Sequence, residues 1–220
     1  MTVFPEDGFR GGQSPYLGSQ TVVPGTVGVL IPVKAFDAAK GRLAEALGPD
    51  ERVDLARRMA TTVVAAAHPL PVTVACDDDA VADWAHSVGA EVVRVDRPGL
   101  NRAVEAGVTA LGEAGFDRVV VAHADLPRAR RLDHCASTGG ITLVPDRHLD
   151  GTPVLVVPAD AGFRFAYGPG SYAAHVAEAE RLGRLGVAWR SLHDPDLAWD
   201  VDDPADLEGV DPLEPVQPAG

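Results

Sequence analysis

The stretch "RVVVAHADLPRARR" (Arg118–Arg131) places an apolar run, Val119 to Ala122, directly before His123, Asp125 and Pro127. A continuous apolar, β-branched run without polar alternation suits a strand covered on both faces. Pro127 cannot continue that strand, so the chain leaves the sheet near Asp125 and carries a single carboxylate to the strand's carboxyl end. Working outward, "TVGVLIPV" (26–33), "VTVAC" (72–76) and "AEVVRV" (90–95) read as further strands. Between them Val53, Ala56, Met59, Ala60, Val63 and Val64 recur at three- and four-residue spacing, the stripe of a one-sided helix. "DDAVADWAHSVG" (78–89) and "LNRAVEAGVTALGEAG" (100–115) read as two more helices, the first ended by Gly89.

Repeated strand–helix units imply an α/β fold with a mostly parallel central sheet flanked by helices, whose ligands lie beyond the carboxyl ends of the strands. "GITLVPD" (140–146), "TPVLVVPA" (152–159), "VAWRSL" (187–192) and "LAWDVD" (197–202) are expected to complete the sheet. "GPGSYAAHVAEAERLG" (168–183) opens a helix, and "PADLEG" (204–209) is a short final one with Asp203 as its cap and Pro204 in its first turn. Residues 1–25 and 211–220 are rich in Gly, Pro or Ser without periodicity and read as disordered tails, leaving 26–210 as one domain.

The 220 residues are 46% hydrophobic and 23% charged, an ordinary globular composition. No apolar run approaches the ~20 residues that cross a bilayer, and the start of the chain lacks a signal-peptide pattern. Two cysteines, Cys76 and Cys135, are too few for a disulfide scaffold, which with the preceding points gives a cytoplasmic expectation. A formal charge of −13 excludes nucleic acid and anionic membrane as partners, because both require positive surface. An anionic ligand must therefore meet cations supplied locally.

Such cations follow the first strand: Lys34, Lys40 and Arg42 lie within one short glycine-containing loop and suit a triphosphate. There is no GxxxxGK[ST] and no GxGxxG after that strand, which counts against P-loop and dinucleotide chemistry. Asp200 and Asp202 flank Val201, and strand alternation would put both on one side. Together with Asp125 they offer hard oxygen ligands for Mg²⁺, held in part by phosphate oxygens. Gly168, Pro169, Gly170 and Ser171 precede a helix; Ser171 is expected to cap it, and its free N–H groups favour an anion to which Thr152 can add a hydroxyl. Asn101 opens the helix after "RPG", as an N-cap or as a hydrogen-bond partner of a base or ribose. The scattered histidines have no zinc spacing, and no GxSxG marks a nucleophile elbow.

"IPVK…AAKGRLA", "LNRAVEAG", "HADLP", "PDRHLDGTPVL", "FRFAYGPGSYAAH" and "WDVDDPADL" together resemble the CofC/FbiD family of guanylyltransferases, over roughly Val27 to Leu207. The family often reads GDLP where this chain has Ala124 before Asp125. The resemblance implies a single-domain nucleotidyltransferase fold related to GT-A glycosyltransferases. It also implies coupling of GTP to a small phosphorylated three-carbon acid, with release of pyrophosphate, in making coenzyme F-420. "FRFAYGPGS" is most similar to the branch that uses phosphoenolpyruvate; 2-phospho-L-lactate and 3-phospho-D-glycerate are the alternatives. By the same resemblance Thr152, Gly168 and Ser171 hold the acid, and Asp125, Asp200 and Asp202 hold metal, with two Mg²⁺ ions expected. Lys34, Lys40, Arg42 and Asn101 face the nucleotide, with Asp125, Lys34 and Lys40 in catalytic roles. A homodimer is the assembly expectation. The competing readings are another nucleotidyltransferase, a metal-dependent phosphohydrolase and a non-catalytic nucleotide-binding regulator.

Overall fold

The computed structural model describes residues 25–96 and 99–209; the expected tails, 1–25 and 211–220, lie outside these apart from Gly25. Among the described residues seven strands form one sheet: β1 (Val27–Pro32), β2 (Val72–Cys76), β3 (Glu91–Arg94), β4 (Arg118–Ala122), β5 (Ile141–Val144), β6 (Val154–Pro158) and β7 (Trp189–Ser191). Their order across the sheet is β3-β2-β1-β4-β6-β5-β7. β1 is parallel to β2 and β4, while β6 runs antiparallel between β4 and β5. Four helices cover the sheet: α1 (Pro49–Ala67), α2 (Asp79–Ser87), α3 (Leu100–Glu113) and α4 (Ser171–Gly183).

Alternation along the strands divides the core between two faces. On one face Val29, Ile31, Val120, Ala122, Val154 and Val156 pack with Ala56, Ala60 and Val63 of α1 and with Trp84 of α2. On the other, Leu30, Val119, Val121, Leu155 and Val157 meet Val104, Val108 and Leu111 of α3 and Ala179 and Leu182 of α4. That two-sided demand explains why these strands read as unbroken apolar runs. α1 begins at Pro49, with the Glu51 carboxylate accepting from the Gly48 N–H at 2.8 Å, and α2 is capped by Asp78 accepting from Val81 N–H at 3.0 Å.

β1 is followed in sequence by β2 on one side, while its other neighbour is β4, so the strand order reverses between β1 and β4. Crevices in open α/β sheets form at such a reversal. The loop after β1 and the residues after β4 border this point, which accounts for an acid delivered by a core strand.

One expected strand is absent. "LAWDVD" forms no strand; it runs as a turn and an irregular segment in which Val201 N–H donates to the Asp125 carbonyl at 3.2 Å. Val201 is fully buried against Leu43, Leu55 and Met59, so apolar anchoring rather than a sheet ladder fixes the segment. Ala124 is not among the described non-glycine residues with positive φ, Lys40 and Leu149, so alanine is accommodated where the family often has glycine.

α3 lies close on β1 because Gly107 faces Leu30: a Cβ there would stand 2.3 Å from a Leu30 methyl. Leu30 is fully buried and has little room to retreat. Gly107→Ala is expected to cost about 1–3 kcal/mol through overpacking, measured as a lowered denaturant midpoint with unchanged slope. Wild-type stability in this variant would show that α3 is not seated on Leu30 through this glycine.

Candidate active site

A cleft of about 540 Å³ opens at the strand-order reversal, and five segments contribute polar residues to its lining. Lys34, Lys40 and Arg42 come from the loop after β1, and His123 and Asp125 from the end of β4. Asp146, Asp150 and Gly151 come from the β5–β6 connection, and Gly168 and Ser171 from the start of α4. Asp200 and Asp202 complete it.

Short 3-10 turns at Phe36–Ala38 and Gly41–Glu45 flank Lys40. Phe36 meets Trp84 edge-on at 5.3 Å, and Leu43 is buried beneath the second turn, so the loop is anchored on both sides. Between the anchors Lys40 adopts the left-handed region, φ 57°, at a cost of about 1–2 kcal/mol for a residue with a Cβ. This conformation accompanies an inward ammonium that donates to Asp125 Oδ2 and to the Val201 carbonyl, both at 2.5 Å, and lies 3.7 Å from Asp202. Only 9% of the Lys40 side chain is exposed. Arg42 lies 3.8 Å from Asp202, and Lys34 is exposed on the cleft wall.

Burial alone would raise the Asp125 pKa, but the Lys40 ammonium and the His123 ring more than offset it and hold the carboxyl below its ordinary value. Asp125 Oδ1 is buried with no hydrogen-bond partner among the described residues. Asp200 shows the reverse: burial first, then repulsion from Asp125, Asp202 and Asp146, raises its pKa to about 6. Arg147 donates to the Asp200 carbonyl at 2.9 Å and reaches its carboxylate at 3.4 Å while pairing with Asp206. Arg147 also lies 4.4 Å over Trp199, whose ring Arg128 covers at 3.8 Å.

The structure thus brings Asp125, Asp200 and Asp202 to one cleft, but not as the expected ready-made cage. Among the described residues no three His, Cys, Asp or Glu groups lie together closely enough to hold a cation, and the Lys40 ammonium stands between Asp125 and Asp202. The strand alternation invoked for Asp200 and Asp202 is also absent, although the burial of Val201 still leaves both acids lining the cleft.

The opposite wall corrects three further expectations. α4 is capped by Gly170, φ 73°, and not by Ser171, which is its first residue. Asp150 holds this entry, accepting from Gly170 N–H at 3.1 Å through its carboxylate and from Tyr172 N–H at 2.8 Å through its carbonyl. Gly168 has φ 140°, a conformation that a side chain would strain. Thr152 is fully buried behind Gly151 rather than on the cleft surface. Its Oγ1 lies 3.0 Å from His175 Nδ1. His175 Nε2 accepts from Ala166 N–H at 3.0 Å, so the proton resides on Nδ1, which donates to Thr152 and leaves the hydroxyl hydrogen free. Burial, then the nearby His123, depresses the His175 pKa to about 4 and keeps the ring neutral. Asn101 is neither cap nor free amide: Gly99 is the cap, and Asn101 accepts from Tyr167 N–H at 2.7 Å and donates to the Tyr167 carbonyl at 3.2 Å. It fixes the segment leading into Gly168.

Sequence reasoning missed Asp146, whose carboxylate accepts from the N–H groups of His148, Asp150 and Gly151 at 2.7–3.0 Å and shapes the cleft-side loop. "PDRHLDG" carries that signal, since Asp readily accepts from backbone N–H groups just ahead in a turn. His175 was legible as a residue four positions after Ser171 on one helix face.

Residues 27–210 match the family model for CofC-like guanylyl transferases. The chain belongs to that family. Phosphoenolpyruvate guanylyltransferase of Sphaerobacter thermophilus is 34% identical over 81% of this chain and 89% of that protein. The protein of the same name from Conexibacter woesei is 35% identical, over 82% and 85% respectively. Among solved structures, a putative nucleotide-diphospho-sugar transferase from Desulfovibrio desulfuricans G20 superposes with a TM-score of 0.62 at 19% identity, covering 82% of this chain and 84% of that one. A nucleotidyl transferase from Methanothermobacter thermautotroptrophicus gives 0.56 at 16%, covering 83% and 94%. The CofC-like chain thus has the mixed α/β fold of nucleotidyltransferases, and the six sequence motifs identified it correctly.

The raised Asp200 pKa has a thermodynamic consequence. The native state binds more protons than the unfolded state between the ordinary carboxylate value, 3.8, and about 6. Stability is therefore lost as pH rises through that window. Asp200→Asn is expected to be more stable than the parent at pH 7.5, by up to about 3 kcal/mol, and to match it below pH ~4. Melting temperatures of both proteins across this range, without nucleotide or divalent ions, check the sign. A variant less stable at pH 7.5 contradicts the electrostatic account.

Proposed function

We propose that this protein transfers GMP from GTP to phosphoenolpyruvate, giving enolpyruvyl-diphospho-guanosine and pyrophosphate, within the synthesis of coenzyme F-420. The carrying observation is the composition of the cleft: a cation trio on the β1 side and a glycine–serine helix entry line it together with Asp125, Asp200 and Asp202. Within an acidic chain, this arrangement suits two phosphate-bearing ligands brought end to end.

The acceptor's phosphate oxygen attacks the α-phosphorus of GTP, the α–β bridging P–O bond breaks, and pyrophosphate leaves. The attacking oxygen is already ionised, so the protein supplies no general base; it positions the groups and neutralises their charge. Lys34, Lys40 and Arg42 face the β- and γ-phosphates and stabilise the charge that gathers there. The Ser171 hydroxyl takes the acid, with Thr152, oriented by His175, behind it; the N–H groups of Gly170, Ser171 and Tyr172, expected to be free for an anion, are instead engaged by Asp150 and the Gly168 carbonyl. Asn101 acts at one remove by holding Tyr167 beside Gly168.

The acids are of the donor type a divalent cation takes, although as they stand the Lys40 ammonium lies between Asp125 and Asp202. Asp125 has a buried, unpartnered oxygen, Asp200 is strained toward protonation, and Asp202 faces the same cleft, all hard donors. Asp125, Asp200 and Asp202 would hold Mg²⁺, which when bound supplies charge neutralisation between the two phosphates. Lys40 meanwhile keeps Asp125 ionised and ready.

Incubation with GTP, Mg²⁺ and each of phosphoenolpyruvate, 2-phospho-L-lactate and 3-phospho-D-glycerate, with products identified by mass, tests the reading. Acceptor-dependent pyrophosphate release with phosphoenolpyruvate supports it; GTP hydrolysis without acceptor indicates a hydrolase, and binding without turnover a regulator. Asp125→Asn is expected to lower turnover roughly 10²–10³-fold with the fold retained, and near-normal rates remove Asp125 from the mechanism. Ser171→Ala is expected to raise the acceptor KM more than the GTP KM, and equal effects on both contradict its assignment to the acid.

A further inference from the structure

A second, smaller cavity of about 170 Å³ adjoins the main cleft and shares Pro32, Val33, Lys34, Ala38 and Leu100 with it. It lies over the carboxyl ends of β1, β2 and β3, against the first turn of α3. Its walls are short and apolar, including Ala35, Ala75, Ala103 and Val95, and its acidic lining residue is Asp77. The volume falls below the ~300–1,000 Å³ typical of sites for whole drug-sized ligands. It suits one flat ring system whose remainder extends past Lys34 into the larger cleft.

Asp77 differs from the two acids that follow it. Asp78 accepts from Val81 N–H to cap α2, and Asp79 is paired with Arg94 at 2.7 Å. Arg94 also donates to the Asp78 carbonyl. Among the described residues no hydrogen bond or ion pair engages the exposed Asp77 carboxylate. An ionised carboxylate offers only acceptors. Guanine alone among the common bases presents two adjacent donors, N1–H and the N2 amino group, on its pairing edge. Adenine and cytosine set a ring acceptor beside their amino group, and uracil flanks its single N–H with carbonyls, so each brings a lone pair toward the carboxylate.

We propose that this side cavity is the guanine subsite and that Asp77 selects the base by accepting from N1–H and the N2 amino group, a deepening that rests on the GTP reading above. The apolar walls cover the faces of the ring, and the lysine shared with the main cleft marks the direction of the phosphates. Selectivity then comes from a residue outside the region of phosphate chemistry.

Titration calorimetry of the full-length protein with GTP, ITP and ATP in the presence of Mg²⁺ tests this, because ITP lacks only the N2 amino group. The wild type is expected to bind GTP roughly 10- to 100-fold more tightly than ITP, the range of a charge-assisted hydrogen bond. In Asp77→Ala the two affinities are expected to converge. Asp77→Asn is expected to lose most of the discrimination as well, since its amide can present a donor to a donor. Asp77 is exposed and unpartnered, so both variants should keep the parent melting temperature. Equal wild-type affinities for GTP and ITP, or a preference that survives in both variants, overturns the assignment. Wild-type protein that binds none of the three nucleotides overturns it together with the GTP reading. Asp77-dependent preference without GMP transfer leaves the subsite standing and removes only the transfer activity.

Discussion

The ion pair between Lys40 and Asp125 joins the two parts of the molecule that make the cleft. Lys40 comes from the loop after β1 and Asp125 from the end of β4, the neighbouring strands between which the order reverses. Burying either charge alone would cost several kcal/mol, so each side chain requires the other. The same ammonium reaches the Val201 carbonyl and draws the third cleft segment to the same point. Lys40's left-handed backbone fits this role, since strained conformations persist where the surroundings over-determine them. What ties the walls together is thus also a reserve of positive charge in a chain of formal charge −13.

Around this pair the acids are kept unequal. Asp125 is held ionised by its cation, Asp200 is pushed toward protonation by burial and repulsion, and both oxygens of Asp146 accept from backbone N–H groups. The five carboxylates that line the cleft, Asp125, Asp146, Asp150, Asp200 and Asp202, would otherwise repel one another without relief. The arrangement divides the acids between loop construction, as at Asp146, and a paired or protonation-prone state, as at Asp125 and Asp200, which lets so much negative charge share one cleft.

The fold was legible where burial is two-sided. Val119 to Ala122, Leu30 with its neighbours, and Val154 to Val157 are apolar because helices cover both faces, and that demand is written in consecutive residues. The helices carried their stripes and stops. "LAWDVD" misled because alternating apolar and acidic residues imitate a half-buried strand; here Val201 is buried by a helix and a short turn, with no neighbouring strand. Most of the residues that line the cleft announced themselves by type and by place at strand ends, and the family motifs joined them. Their partners were not legible: nothing local pairs Lys40 with Asp125, His175 with Thr152 or Asn101 with Tyr167, because those contacts join segments distant in the chain. Ser171 was placed one residue too far out, as glycine competes well for a left-handed cap.

The reversed direction of β6 has a broader meaning. A parallel strand brings its carboxyl end to the binding edge, but β6 brings its beginning there, with His123 N–H donating to the Pro153 carbonyl at 2.9 Å. The groove is therefore framed at one end by segments leaving the sheet and at the other by a segment entering it. The entering hairpin, residues 145–153, is tied to its surroundings: the Pro153 carbonyl meets the β4 exit and Arg147 reaches the Asp200 segment. The walls proposed for the acid and for the nucleotide therefore rest on chain running in opposite senses.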